Sequence, residues 1–100
     1  MNKIKQTKIP VTMDEPKYQL TRINDGLVRK GHSVDFIEWN EDGTFKARHS
    51  EPQVGFSCIL DGGTPFYTWM TTVITEFEVD EKNVIKFKTL NSNYELHELE

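Results

Sequence analysis

The stretch from Phe66 to Val79 most constrains what this chain can fold into. Its odd-numbered positions stay uncharged to the end, whereas its even-numbered positions become acidic after Ile74. Threonine, valine and aromatic residues fill the stretch, and a pleated, half-buried strand favours these types. A helix is disfavoured because β-branched residues occupy the middle and no helical apolar stripe appears. We predict one long strand, with a bend or bulge near Thr71-Thr72 because few small domains carry a strand of this length.

Turn signals divide the rest of the chain into short segments that also tend to alternate with a period of two. The clearest of these segments are 18–21, 33–39, 44–49, 54–60 and 84–90. Turns containing glycine, asparagine or aspartate separate the segments at 24–26, 40–43, 61–64 and 80–83. This spacing predicts an all-β fold, a small antiparallel barrel or sandwich of about six or seven strands.

The 100-residue chain has the length of one domain. We expect an extended N-terminal arm over residues 1–16, where Pro10 and Pro16 break regular structure. Residues 17–100 are then a single β domain, without repeats or low-complexity tracts.

The segment 84–90 is the expected antiparallel partner of the long strand. In that pairing Glu76 and Glu78 lie across from Lys86 and Lys88. Such exposed pairs contribute only about 0.2–1 kcal/mol each, but they help to fix the register.

Charge argues against a general nucleic-acid binder. The formal net charge is −4, with nine Lys/Arg against seven Asp/Glu in residues 1–50 and three against nine in residues 51–100. Affinity for nucleic acid comes mainly from neutralising phosphates, so nucleic acid is a disfavoured partner. We interpret the acidic second half as a solvated sheet face, since a nucleic-acid mimic would need denser carboxylates.

Targeting signals are lacking in the sequence. No apolar run approaches the roughly 18 residues of a membrane helix, and the N-terminus lacks the apolar core of a secretory signal. The only cysteine, Cys58, excludes an internal disulfide. We therefore expect a cytoplasmic protein with no membrane partner.

Catalytic and metal-binding patterns are also lacking. The segment 55–58, GFSC, lacks the second glycine of a nucleophile elbow, and Cys58 falls on the apolar side of its strand, where it acts as a small hydrophobe. His32, His49 and His97 are isolated, without metal-ligand spacing. We predict no catalytic residue, no metal and no cofactor. An enzyme stays open only if the fold brings two of the histidines together.

The C-terminal segment 89–96, TLNSNYEL, has the pattern T-x-N-S-x-Y-x-L. This pattern resembles the closing strands of small, mostly uncharacterised β-proteins of phages and bacteria. The resemblance implies a β-structured C-terminus and a phage or bacterial origin, and it implies no activity.

Aromatic and basic side chains are the candidate binding residues, because interfaces and single-stranded nucleic-acid sites favour aromatics interleaved with arginines. The candidates are Trp39, Tyr67, Trp69, Tyr94, Arg22, Arg29, Lys46 and Arg48. The alternative is that these rings seal a thin core at its edges, and we expect Trp69 and Tyr67 to lie between core and rim.

The sequence favours a non-catalytic interaction protein, an accessory factor of a phage or mobile element that binds a protein partner through a sheet face or edge. The alternative is a small-barrel module that binds a ligand or single-stranded nucleic acid through the aromatics and arginines. Either form is expected as a monomer or as an edge-paired homodimer.

Overall fold

Eight antiparallel strands and no helix make up the described part of the computed structural model, which covers residues 15–63 and 67–99. The strands are β1 (Tyr18–Arg22), β2 (Leu27–Gly31), β3 (Val34–Trp39), β4 (Phe45–His49), β5 (Ser57–Leu60), β6 (Trp69–Val79), β7 (Ile85–Thr89) and β8 (Asn93–Glu98). They form one sheet in the order β2-β1-β8-β7-β6-β5-β3-β4, curled into a half-barrel. The all-β prediction is confirmed, but the strands number eight rather than six or seven.

The predicted N-terminal arm lies outside the described residues up to position 14. Residues 15–17 are described and precede β1 without belonging to a strand. Strands β2 and β3 are joined by only two residues, His32 and Ser33.

Strand β6 contains the predicted bulge. Ser57 of β5 pairs with Val73 of β6. Ile59 lies two residues further along β5 but pairs with Met70, three residues before Val73. The extra residue falls at Thr71-Thr72, which confirms the prediction. A bulge bends and twists a strand, so β6 can join both halves of the curled sheet.

A second register shift follows on the other edge of β6. Ile74 pairs with Thr89 of β7, whereas Glu76 pairs with Lys88. The pairing therefore advances two residues along β6 for one residue along β7, so β6 has one extra residue here. The two shifts change which side chains face the core, because each extra residue reverses the alternation.

The core positions of β6 consequently differ from those that strict alternation predicts. An uninterrupted alternation would place the uncharged odd-numbered Val73, Phe77 and Val79 in the core, but Val73 is half-buried and Phe77 and Val79 are 36% and 52% exposed. Ile74, which strict alternation places on the opposite face, is 1% exposed and lies in the core. For Val73 the reason is the bulge at Thr71-Thr72, which reverses the alternation and turns Ile74 inward instead. The second shift restores the original alternation, so Phe77 and Val79 lie across from Phe87 and Ile85 on the inner face but stay partly exposed there.

The buried core lies on one face of the sheet, called here the inner face. Its members are Leu20, Phe36, Cys58, Leu60, Ile74, Phe87, Tyr94 and Leu96. They come from six strands, so burying them holds the curled sheet together. Cys58 is fully buried among them, as its apolar pattern predicts.

The outer face of β6 and β7 carries the predicted charge pairs. Glu76 pairs with Lys88 and Glu78 with Lys86 across the two strands, which confirms the register. The Lys88 Nζ lies 3.5 Å from a Glu76 carboxylate oxygen. Both side chains are more than half exposed, so the pair adds little to stability.

Candidate binding surfaces

The eight candidate residues do not form one surface. Arg22, Arg29, Trp69 and Tyr94 lie on the inner face, because the strand register places them beside core residues of their neighbours. Trp39 and Arg48 lie on the outer face, and Tyr67 is 51% exposed just before β6. Lys46 lies on the edge strand β4, at the register shift against Glu38 and Trp39.

Arg22, Arg29 and Trp69 meet in a group that we call the arginine–tryptophan cluster. The guanidinium carbons of Arg22 and Arg29 lie 5.4 and 5.1 Å from the centre of the Trp69 ring. The β1–β2 hairpin aligns both arginines on the inner face, since Arg22 pairs with Leu27 and Arg29 with Leu20. Cation–π attraction favours this arrangement, which covers the indole with positive charge.

The two arginines differ in how firmly they are held. Arg22 donates two hydrogen bonds to the Asp25 carboxylate, at 3.0 and 2.8 Å. These bonds hold the pKa of Asp25 below its usual value and raise the pKa of Arg22. Arg29 has no carboxylate partner in the described part of the chain, and its Nη1 donates to the Val28 carbonyl at 3.0 Å.

Two of the expected binding rings belong largely to the interior. Tyr94 is 6% exposed and stacks on Phe87, with ring centres 5.2 Å apart. Tyr94 is therefore not available as a binding residue on the surface, because β8 presents it to the core. Trp69 is half-buried against the core, and its Nε1 is buried with no acceptor among the described residues.

Trp39 lines a shallow groove of about 420 Å³ on the outer face, called here the Trp39 groove. Its indole Nε1 donates a 3.0 Å hydrogen bond to the Ser57 hydroxyl, which fixes the ring. Val73 and Leu90 also line the groove, and Leu90 is 68% exposed. Phe45, paired with Trp39 in the register of β3 and β4, is 56% exposed. The groove and the neighbouring Phe45 together expose several large apolar side chains.

Lys46 and Arg48 are already paired within the chain. The Lys46 Nζ lies 3.2 Å from a Glu38 carboxylate oxygen. The Arg48 Nε lies 3.7 Å from an Asp35 carboxylate oxygen, and its Nη2 donates to the Gly62 carbonyl at 3.1 Å. An anionic partner would therefore have to compete with acceptors of the chain itself for both cations.

One histidine–carboxylate pair, His49 with Glu38, was not predicted from the sequence. The His49 Nε2 lies 2.8 Å from a Glu38 carboxylate oxygen, and the imidazole stacks on Phe56 with ring centres 4.7 Å apart. Hydrogen bonds from His49 and then Lys46 hold the pKa of Glu38 below its usual value. Residues 50–53 close a cleft of about 400 Å³ beside the imidazole.

A carboxylate-held imidazole resembles part of a catalytic triad, but the third component is missing. In the described ranges no serine, threonine or cysteine side chain is hydrogen-bonded to His49. The turn predicted at 40–43 between the segments 33–39 and 44–49 was the available signal, since a hairpin there determines which side chains of the two strands share a face.

The three histidines have separate acidic partners. They pair as His32 with Asp61, His49 with Glu38 and His97 with Glu95. No group of three or more histidine, cysteine, aspartate or glutamate residues that could hold a metal ion occurs within 15–63 and 67–99. The described ranges also contain no helix long and apolar enough to cross a membrane.

Comparison with known proteins finds no matching family model, no matching curated protein and no matching solved structure. The resemblance of the C-terminal segment 89–96 therefore stays a prediction. The function has to be argued from the surfaces themselves.

Proposed function

We propose that this chain is a non-catalytic interaction protein that binds a protein partner through the Trp39 groove. The observation that carries the proposal is Leu90, a large apolar side chain 68% exposed beside Trp39. Exposed apolar side chains grouped around a tryptophan are typical of protein interfaces. The pattern in residues 89–96 favours an accessory factor of a phage or mobile element.

Trp39 is suited to be the anchor of such an interface. Its only polar atom outside the backbone is already satisfied by Ser57, so a partner can cover the ring without leaving an indole N–H unpaired. The same hydrogen bond limits movement of the ring, which reduces the entropy lost on binding.

Single-stranded nucleic acid is a weaker alternative on these surfaces. Two guanidinium groups already lie over the Trp69 ring, Tyr94 is buried, and Lys46 and Arg48 are paired with acids. Stacking platforms and free cations, which such binding requires, are therefore scarce. Salt-sensitive binding of an oligonucleotide would revive this alternative.

We propose that the protein is a monomer rather than an edge-paired dimer. The edges of the sheet are β2 and β4, and both carry pairs of cations, Arg29 and Lys30 on one and Lys46 and Arg48 on the other. Cationic side chains on edge strands oppose pairing with a second copy. Native mass spectrometry tests this, and a dimer mass would contradict it.

A capture experiment from lysate of the source cells tests the proposed interface. We expect Leu90→Asp to lose proteins that the wild type retains, because a charge then enters the apolar groove. Val28→Asp is the matched control, since Val28 is 40% exposed on a different strand, β2. Equal capture by Leu90→Asp and the wild type, with both folded by near-ultraviolet circular dichroism, would overturn the proposal.

A further inference from the structure

We propose that Arg29 and the indole N–H of Trp69 form a binding site for an oxyanion, the carboxylate or phosphate group of a small ligand. The site lies on the inner face, whereas the Trp39 groove lies on the outer face. It therefore goes beyond the proposed function and does not depend on it.

Arg29 supplies the charge. The neighbouring Arg22 is occupied by two hydrogen bonds to Asp25, whereas Arg29 has no carboxylate partner in the described ranges. Only its Nη1 is engaged there, by the Val28 carbonyl, so Nε and Nη2 can both donate to a ligand. A guanidinium edge with two donors matches a carboxylate or phosphate.

Trp69 supplies a second donor. Its Nε1 is buried and has no acceptor among the described residues, although buried N–H groups nearly always have one. The Arg29 guanidinium carbon lies 5.1 Å from the centre of the ring that carries this N–H, so both donors belong to the same small part of the inner face.

Access to the indole N–H requires a side chain to move. The Arg22 guanidinium is held by the Asp25 carboxylate. The Arg29 guanidinium is held only by the Val28 carbonyl and the Trp69 ring among the described residues. In the proposed site the Arg29 guanidinium turns from the ring face toward the ligand, next to the indole N–H. The oxyanion then satisfies both groups at once, which is why the two donors act as one site.

Two-dimensional ¹H–¹⁵N NMR of the full chain tests the site directly. The chain has two indole N–H groups, and that of Trp39 is an internal reference because Ser57 accepts its hydrogen bond. We expect a saturable shift of the Trp69 signal on adding inorganic phosphate or, separately, sodium acetate, at ionic strength held constant with sodium chloride. Saturation by phosphate alone identifies a phosphate ligand, and saturation by acetate alone a carboxylate ligand.

Variants of β2 supply the control. Arg29→Gln is expected to weaken the apparent affinity at least tenfold, and Lys30→Gln, on the opposite face of the same strand, to leave it unchanged. If Arg29→Gln loses its dispersed spectrum, Arg29→Lys decides, since it keeps the charge without the planar fork and is expected to bind several-fold more weakly. No saturable shift with either anion, or an unchanged affinity in the deciding variant, would overturn the proposal.

Discussion

The Asp61 carboxylate accepts a 2.8 Å hydrogen bond from the backbone N–H of His32, 29 positions earlier in the chain. It also accepts bonds from the Ser33 N–H, at 3.2 Å, and from the Thr68 hydroxyl. One side chain thus joins the β2–β3 connection to the turn between β5 and β6. Asp61 has a positive φ of 59°, which aspartate tolerates better than most residues.

Replacing Asp61 is expected to destabilise the fold. Asp61→Ala removes the acceptor for three donors and should lower the free energy of unfolding by about 2–4 kcal/mol, measured by urea denaturation. Asp42→Ala is the control, because Asp42 is exposed and accepts from Thr44 in its own turn rather than joining distant segments. A loss below about 0.5 kcal/mol in Asp61→Ala would contradict this account.

Stability should fall in acid, and Asp61 should account for part of the fall. Partial burial opposes its ionisation, but hydrogen bonds from Thr68, His32 and Ser33 prevail and hold the pKa of Asp61 below its ordinary value of 3.8. A lowered folded pKa gives stability that is present above about pH 4 and is lost as the pH falls through the folded value. The urea midpoint should therefore drop from neutral pH to about pH 3, and less steeply in Asp61→Asn. An equally steep drop in that variant would exclude the role.

Adjacent residues of β6 test the register shifts. Ile74→Ala should cost about 3–4 kcal/mol because Ile74 is 1% exposed in the core, whereas Val73→Ala should cost about 1 kcal/mol or less. Urea denaturation of both variants gives the comparison. An uninterrupted alternation would instead make Val73→Ala the costlier change.

Cys58 is expected to be unreactive in the folded protein. The residue is fully buried, and burial, followed by the charge of Asp35, raises the pKa of its thiol to about 12. The thiolate that reacts with disulfide reagents is therefore scarce and inaccessible. Colour from dithionitrobenzoate should appear at once in strong urea and only very slowly without it. Fast reaction of the native protein would show that β5 is not buried.

Much of the fold follows from the sequence because alternation and turn chemistry are local. The bulge at Thr71-Thr72 was predictable from the length of the strand, which a small curled sheet must bend. The second shift, near Ile74, was not, because it depends on the register of β6 against β7, which no local pattern specifies. The bulge at Thr71-Thr72 decides that Ile74 rather than Val73 enters the core, and the second shift returns Phe77 to the inner face across from Phe87.

The candidate surfaces were less predictable than the fold. Residue type identified Trp39, Trp69 and Arg29, but whether each is covered or exposed depends on contacts distant in sequence. Tyr94 was misplaced because its burial against Phe87 requires the β7–β8 register. The pairing of Glu38 with His49 across a hairpin was the one missed feature with a usable sequence signal.

Site-specific photocrosslinking from the Trp39 groove tests the central claim most directly. Benzoylphenylalanine replaces Leu90 in one sample and Val28 in another, and both are irradiated in source-cell lysate. We predict a defined crosslinked protein from position 90 that is absent from position 28, and its loss when Trp39→Ala is added. No crosslink from position 90, or the same crosslink from both positions, would contradict a protein-binding role for this groove.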